Sequence, residues 1–249
     1  MNIDKFYLST IADDAADTAR IKGLGLELAQ FCTAANIDNR FPQTDLEIRN
    51  MLQAGQNIVF HAPFNELFPC AVDPKARELA AFRYRQAIAL AKGYGATKVV
   101  IHGGYHPWIY YPEWYVEQSI LFWKSFMKEN NGVQVVLENV LEPEMDWMAE
   151  IVKGVNVSNF WLCLDVGHVN AYSKHSAMDW LETCAPYIRH FHIHNNDGTW
   201  DTHSGLDQGS IPMRELLLQA NALCPLATYT LEVTKAAPAT QWLQENDLI

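Results

Sequence analysis

Lys98-Val99-Val100-Ile101-His102 and Gln134-Val135-Val136-Leu137-Glu138 decide the fold. Each holds three consecutive branched apolar residues without polar alternation, the pattern of a strand covered on both faces in a parallel sheet. Each also ends on an ionisable side chain. Outward from this pair, short runs rich in β-branched or aromatic residues alternate with longer amphipathic ones, as repeated βα units require. Eight strands are expected, at Asp4–Leu8, Gly25–Ala29, Ile58–His61, Lys98–His102, Gln134–Glu138, Trp161–Asp165, His190–His194 and Thr228–Glu232. The clearest helix follows Asp73-Pro74, an N-cap and an N1 proline. Ala80, Tyr84, Ala87, Ile88 and Ala91 recur on one face, and Gly93 is placed to close it. Eight strands interleaved with seven or eight helices in a chain of about 250 residues is the arithmetic of an α/β (β/α)₈ TIM barrel. The competing doubly wound sheet would need a glycine-rich loop after its first strand, and Ser9-Thr10-Ile11-Ala12-Asp13 is not one.

The composition sets the boundaries. Of 249 residues, 49% are hydrophobic and 19% charged, enough for a large core and too apolar for a disordered chain. Residues 1–249 read as a single barrel domain with no linker. Eighteen Lys and Arg against 29 Asp and Glu give a net charge of −11, which argues against a protein that coats nucleic acid. The first residues, Met1-Asn2-Ile3-Asp4-Lys5, lack a signal-peptide pattern, and no apolar run approaches the roughly 18 residues of a membrane span. A cytoplasmic protein without membrane contact is expected. Five cysteines, odd in number and without a Cys-x-x-Cys pair, suggest reduced structural thiols.

In a barrel the C-terminal strand ends carry function. Here six successive ends are ionisable: His61, His102, Glu138, Asp165 with His168 three residues on, His194, and Glu232. The loop after the seventh strand adds Asp201 and His203. One such histidine would read as an ordinary packed residue. Nine converging donors would cost several kcal/mol each if buried without partners, and a divalent cation is the economical compensation. Imidazole and carboxylate without thiolate suit zinc or manganese, with cobalt and iron also compatible, and nine donors suffice for one to three ions. His190, His192 and His194 share one strand face, but only His194 lies at the end; His190 and His192 read as inner packing or supporting residues.

The loop after the fourth strand, Gly103 to Tyr115, is dense in aromatic residues. Tyr105 and Trp108, together with Trp200 beside Asp201, are candidates for a substrate-stacking wall. The alternatives are a rim cover or a contact in an oligomer.

Leu137-Glu138-Asn139, Leu164-Asp165-Val166-Gly167-His168, His192-Ile193-His194-Asn195-Asn196-Asp197-Gly198, Asp201-Thr202-His203, Gln208-Gly209-Ser210-Ile211 and Leu231-Glu232-Val233 together make the chain resemble the xylose isomerase-like TIM-barrel superfamily. That superfamily includes sugar isomerases, epimerases, inosose dehydratases and the endonuclease IV repair enzymes. The resemblance places His61, His102, Glu138, Asp165, His168, His194, Asp201, His203 and Glu232 on the trinuclear set of endonuclease IV. The smaller set of the sugar isomerases would be Glu138, Asp165, His194 and Glu232. The His-x-His, Asp-x-His and Gly-x-Ile arrangements resemble the sugar phosphate isomerase/epimerase branch.

Two enzyme readings follow. An abasic-site phosphodiesterase would use clustered ions on a DNA phosphate. Three divalent ions would still leave the chain near about −5, without a basic stripe along which to displace counterions. A small sugar or sugar phosphate needs no such surface. The favoured reading is therefore a metal-dependent isomerase or epimerase in which Glu138 or Glu232 removes and returns a proton beside a polarised carbonyl, through an enediolate. Metal-dependent sugar or inosose dehydration is a further alternative. A non-catalytic binding barrel would be expected to have lost part of the ligand set, which here looks complete.

Overall fold

In a computed structural model that describes residues 1–130 and 132–249, eight parallel strands pair in chain order and the last returns to the first, closing a barrel. The strands are β1 (Phe6–Ser9), β2 (Gly25–Leu28), β3 (Ile58–His61), β4 (Lys98–His102), β5 (Gln134–Glu138), β6 (Phe160–Asp165), β7 (Ile188–Ile193) and β8 (Thr228–Leu231). Ten α-helices among the described residues surround them: α1 (Ala15–Lys22), α2 (Ala34–Asp38), α3 (Phe41–Met51), α4 (Pro74–Tyr94), α5 (Pro112–Glu129), α6 (Met145–Val155), α7 (Val166–Tyr172), α8 (Ala177–Cys184), α9 (Met213–Leu223) and α10 (Ala236–Glu245). The (β/α)₈ TIM barrel read from the sequence is the fold observed. The excess of helices over seven or eight arises because the crossovers after β2 and β6 each carry two short helices.

Local chemistry accounts for the boundaries. Asp73 caps α4 by accepting the Lys75 N–H at 2.8 Å, with Pro74 in the first turn. The helix runs through Gly93, however, and stops at Gly95, whose φ of 78° lets its N–H reach the carbonyls of Ala91 and Lys92. Residues 3–5 form a 3₁₀ turn capped by Asn2 rather than the start of β1, because the Asn2 side chain takes the Asp4 N–H. The seventh strand begins two residues before the expected His190, at Ile188, and ends at Ile193, so His194 stands just past the ladder.

Strand alternation divides the barrel into two faces. Outward residues such as Leu8, Leu26, Phe60, Ile101, Leu137, Leu164, Phe191 and Leu231 join the helices in the main core, with Tyr84, Trp123 and Trp180 fully buried among them. Inward, Tyr7, Val59, Val100, Val136 and Cys163 form a separate apolar cluster. The rest of the interior is polar, with Glu27, Lys98, His190, His192 and Thr230 all buried. The five cysteines are unpaired. Among the described residues no helix is long and apolar enough to cross a membrane.

Candidate metal centre and cavity

The inward positions at the strand ends bring all nine sequence-selected donors to one mouth. Glu138 is central. Its Oε2 lies 3.4 Å from His61 Nε2 and 3.4 Å from His102 Nε2, and its Oε1 lies 3.3 Å from His168 Nδ1. Asp201 gathers a second group, with Oδ2 at 3.0 Å from His203 Nε2 and 3.3 Å from His168 Nε2. Between these groups, Asp165 holds His194 Nε2 at 3.1 Å from both of its oxygens. Asp165 is fixed as the N-cap of α7, accepting the His168 N–H at 2.7 Å, and its main chain is paired in both directions with the Asn139 side chain.

Backbone carbonyls set the tautomers of three imidazoles. His61 Nδ1 lies 2.9 Å from the Ala62 carbonyl, His168 Nδ1 2.9 Å from that of Asn139, and His203 Nδ1 2.7 Å from that of Glu232. A carbonyl only accepts, so each Nδ1 carries the hydrogen and each Nε2 is left as a lone pair. Those lone pairs face Glu138 or Asp201. His203 achieves this with a left-handed backbone, φ 47°, a conformation that costs a residue with a Cβ about 1–2 kcal/mol.

A lone pair facing a carboxylate oxygen at 3.0–3.4 Å has no hydrogen to share, and either a second proton on the ring or a cation between the two groups compensates. Both oxygens of Glu138, Asp201 Oδ1, and Nδ1 of His192 and His194 are buried without a hydrogen-bond partner. His61, His102 and Glu138 form one compact donor group; His168, Asp201 and His203 form another. With imidazole and carboxylate donors, tautomers fixed by the main chain and orphaned carboxylate oxygens, this site fits divalent metal ions.

Without a cation between them, the carboxylates would draw protons onto some of these rings instead, and an ion would have to displace those protons. Burial would raise the Glu138 carboxyl, but His192, His102 and His168 outweigh it and hold the group well below the usual carboxylate range. Burial opposes the charge of His203, yet Asp201 and Glu232 push it up to about 9. His102 is desolvated beyond what Glu138 returns and falls to about 3.

The cavity above these groups has a volume of about 390 Å³ and is lined by His61, His102, Glu138, His168, Asp201, His203 and Glu232 on its polar side. Ile11, Ala29, Cys32, Phe64, Val140, Leu141 and Tyr172 complete the wall. Phe64 stacks on His102, with ring centroids 4.3 Å apart and planes at 14°. Tyr105, Trp108 and Trp200, expected as the substrate wall, are not among these lining residues. Tyr105 is buried against Tyr115 and Trp147, Trp108 is 91% exposed beside His106, and Trp200 is 67% exposed with its edge toward Tyr172. The loop turns Trp108 outward, so aromatic density in sequence did not specify direction. Phe64 and Tyr172 are the aromatic residues that line the cavity, and Glu27, buried beneath the centre, is the one charge inside the otherwise apolar run Gly25-Leu26-Glu27-Leu28, a signal the strand ends drew attention away from.

Residues 18–246 match the xylose isomerase-like TIM barrel family, and the chain belongs to that family. Among its relatives, an uncharacterized protein of Methanocaldococcus jannaschii is 30% identical over 183 residues, 69% of this chain and 62% of that protein, so the chain spans less than two thirds of that relative's length. Two solved structures share the fold over nearly the whole chain. A D-tagatose 3-epimerase-like protein superposes with a TM-score of 0.78 at 22% identity, covering 97% of this chain and 96% of that one. A Thermus thermophilus protein soaked with zinc chloride does so with a TM-score of 0.76 at 22% identity, covering 97% of each.

Proposed function

We propose that the protein is a divalent-metal-dependent isomerase or epimerase of a small sugar or sugar phosphate, moving a proton at carbon beside a carbonyl. The observation that carries this reading is the convergence of Glu138 and Glu232. Both line the cavity, and their carboxylates reach 3.2 and 3.4 Å from the same atom, His192 Nδ1. A volume of about 390 Å³ falls in the range of small-molecule sites. The epimerase-like name of one structural neighbour and the zinc soak of another agree with this reading.

A bound zinc or manganese ion would supply polarisation of the substrate carbonyl and its neighbouring hydroxyl. His61, His102, Glu138, Asp165, His168, His194, Asp201, His203 and Glu232 would hold one to three such ions. Glu138 and Glu232 serve as the proton acceptor and donor at the reacting carbon. Phe64, Leu141, Val140 and Ile11 would give the bound sugar an apolar wall. No Lys or Arg lines the cavity among the described residues, which favours an unphosphorylated sugar within this class.

The test is a panel of ketoses, aldoses, their phosphates and inositol derivatives, assayed with metal-loaded protein in heavy water. Deuterium entering carbon beside the carbonyl, lost in Glu138→Gln and Glu232→Gln, is the expected result. Turnover without deuterium would indicate hydride transfer instead, and no turnover across the panel would sink the assignment.

The two flanking donor groups, His61–His102–Glu138 and His168–Asp201–His203, favour a second reading, a trinuclear phosphodiesterase of the endonuclease IV kind. The net charge of −11 opposes DNA as its substrate. Efficient incision of an abasic-site duplex at low salt would reverse this ranking.

A further inference from the structure

We infer that His192 is a further metal ligand, presenting Nδ1 from the barrel interior, and that Glu27 is the positioning residue that turns it. The inference rests on the metal-centre reading above, and it moves His192 from the supporting role read from the sequence to that of a ligand, with Glu27 behind it.

A column of polar groups fills the barrel beneath the centre. Lys98 Nζ donates to the Arg189 carbonyl at 2.9 Å and to the Thr228 hydroxyl. That hydroxyl lies 2.6 Å from His190 Nδ1. Glu27 Oε2 faces the opposite edge of the ring and only accepts, so His190 takes the Thr228 hydrogen at Nδ1 and carries its own on Nε2. This nitrogen lies 3.2 Å from Glu27 Oε2, and the Thr230 hydroxyl donates to the same oxygen at 2.6 Å. The upper donors of the column, His190 Nε2 and the Thr230 hydroxyl, therefore point toward Glu27, a carboxylate that can only accept. The other neighbour of Glu27 is His192, whose Nε2 lies 3.0 Å from Oε1 and 3.2 Å from Oε2.

Glu27 accordingly places the His192 hydrogen on Nε2 and leaves Nδ1 as a lone pair. Nδ1 is fully buried and has no hydrogen-bond partner. It faces three acceptors: Glu138 Oε1 at 3.2 Å, Glu232 Oε2 at 3.4 Å and Asp165 Oδ2 at 3.7 Å. Metal–donor bonds of about 2.0–2.2 Å separate adjacent donors on an octahedral or tetrahedral ion by roughly 2.8–3.6 Å. The two shorter spacings fall inside that interval, and the third lies just beyond it. A ligating histidine whose other nitrogen is held by a buried carboxylate is the usual outer arrangement of a metal site. Glu27 provides it here, and the lower column holds Glu27.

The experiment uses the full-length protein, Co²⁺ as probe, and the variants His192→Gln and Glu27→Gln, with folding checked by near-UV circular dichroism. Co²⁺ affinity is read by competition with a chromophoric chelator, and coordination by the visible absorption of the bound ion. Glu27→Gln keeps the shape and an acceptor oxygen while removing the charge, so it carries the test even if His192→Gln folds poorly. Expected is a Co²⁺ affinity about 10–100-fold weaker in Glu27→Gln and at least 10-fold weaker in His192→Gln, with the visible bands altered by the loss of a nitrogen donor. Affinity that is unchanged or tighter in both variants, with wild-type bands, would overturn the inference and leave the metal centre standing. Wild-type protein that takes up no Co²⁺ would overturn the metal centre and the inference together.

Discussion

Gly167 offers a sharp perturbation of the proposed centre. It lies in the first turn of α7 and packs against the His194 ring. A Cβ built on it would stand 1.9 Å from His194 Cε1, 2.4 Å from Nδ1 and 2.5 Å from Nε2. Ordinary carbon contacts begin near 3.5 Å, so Gly167→Ala must displace the ring or the helix by about 1.6 Å. His194 Nε2 now sits 3.1 Å from both Asp165 oxygens, whereas metal–ligand distances tolerate only about ±0.2 Å. A shift eight times that tolerance removes His194 from the coordination sphere, and metal affinity should fall by at least about 10–100-fold, or roughly 1.4–2.7 kcal/mol. The backbone itself has no objection: Gly167 is helical, and alanine is favoured there by about 1 kcal/mol. The assay pairs Co²⁺ competition with thermal melts of Gly167→Ala alone and in a His194→Ala background. In that background the alanine should be neutral or stabilising, because the group it strikes is gone. Wild-type metal affinity in Gly167→Ala, or equal destabilisation in both backgrounds, would refute the reasoning.

Metal loading should raise stability by about 2.7 kcal/mol when free ion exceeds its dissociation constant 100-fold, seen calorimetrically as a rise in Tm of roughly 5–10 °C. Asp165→Asn should lose most of that rise. Glu142 is buried with its carboxylate accepting from the Tyr115 hydroxyl and the Val140 N–H, both at 2.6 Å, and burial raises its pKa above the free value of 4.5 despite these bonds. A raised carboxyl stabilises the fold below the free value and loses that contribution as pH climbs through the folded one. Denaturant melts against pH should therefore show wild-type losing stability relative to Glu142→Gln above about pH 4.5. Lys98 is pushed down by burial to about 8 from 10.5, a difference worth about 3 kcal/mol. Its charged form is disfavoured in the fold, so wild-type stability should gain on Lys98→Met as pH rises from about 8 toward 10.5, in the same melts.

The fold was legible because parallel strands announce themselves as unbroken apolar runs, and the donors were legible because those runs end on His, Asp or Glu. Val99-Val100-Ile101-His102 carries both signals in four residues. Asp201 and His203 were reachable only as loop neighbours of a strand end. Other features depend on conformation that no spacing encodes. Phe64 meets His102 because the chain after β3 folds back, and Trp108 leaves the cavity because its loop turns outward. Glu27 is a different case. A single carboxylate at an inward position of a buried strand is visible in sequence, but it stands mid-strand, away from the ends where barrel chemistry is sought.

The main-chain carbonyls that orient His61, His168 and His203 also bear on how such a barrel can change over time. A backbone acceptor is present whatever side chain its residue carries, so substitution at Ala62 or Asn139 cannot delete the group that holds the imidazole. Most of the apolar wall is built separately, with Ile11, Phe64 and Leu141 in the loops after β1, β3 and β5, while Tyr172 shares α7 with His168. On the proposed reading, the loop-borne part of the wall would be free to diversify toward new substrates while the backbone acceptors keep the imidazoles in place.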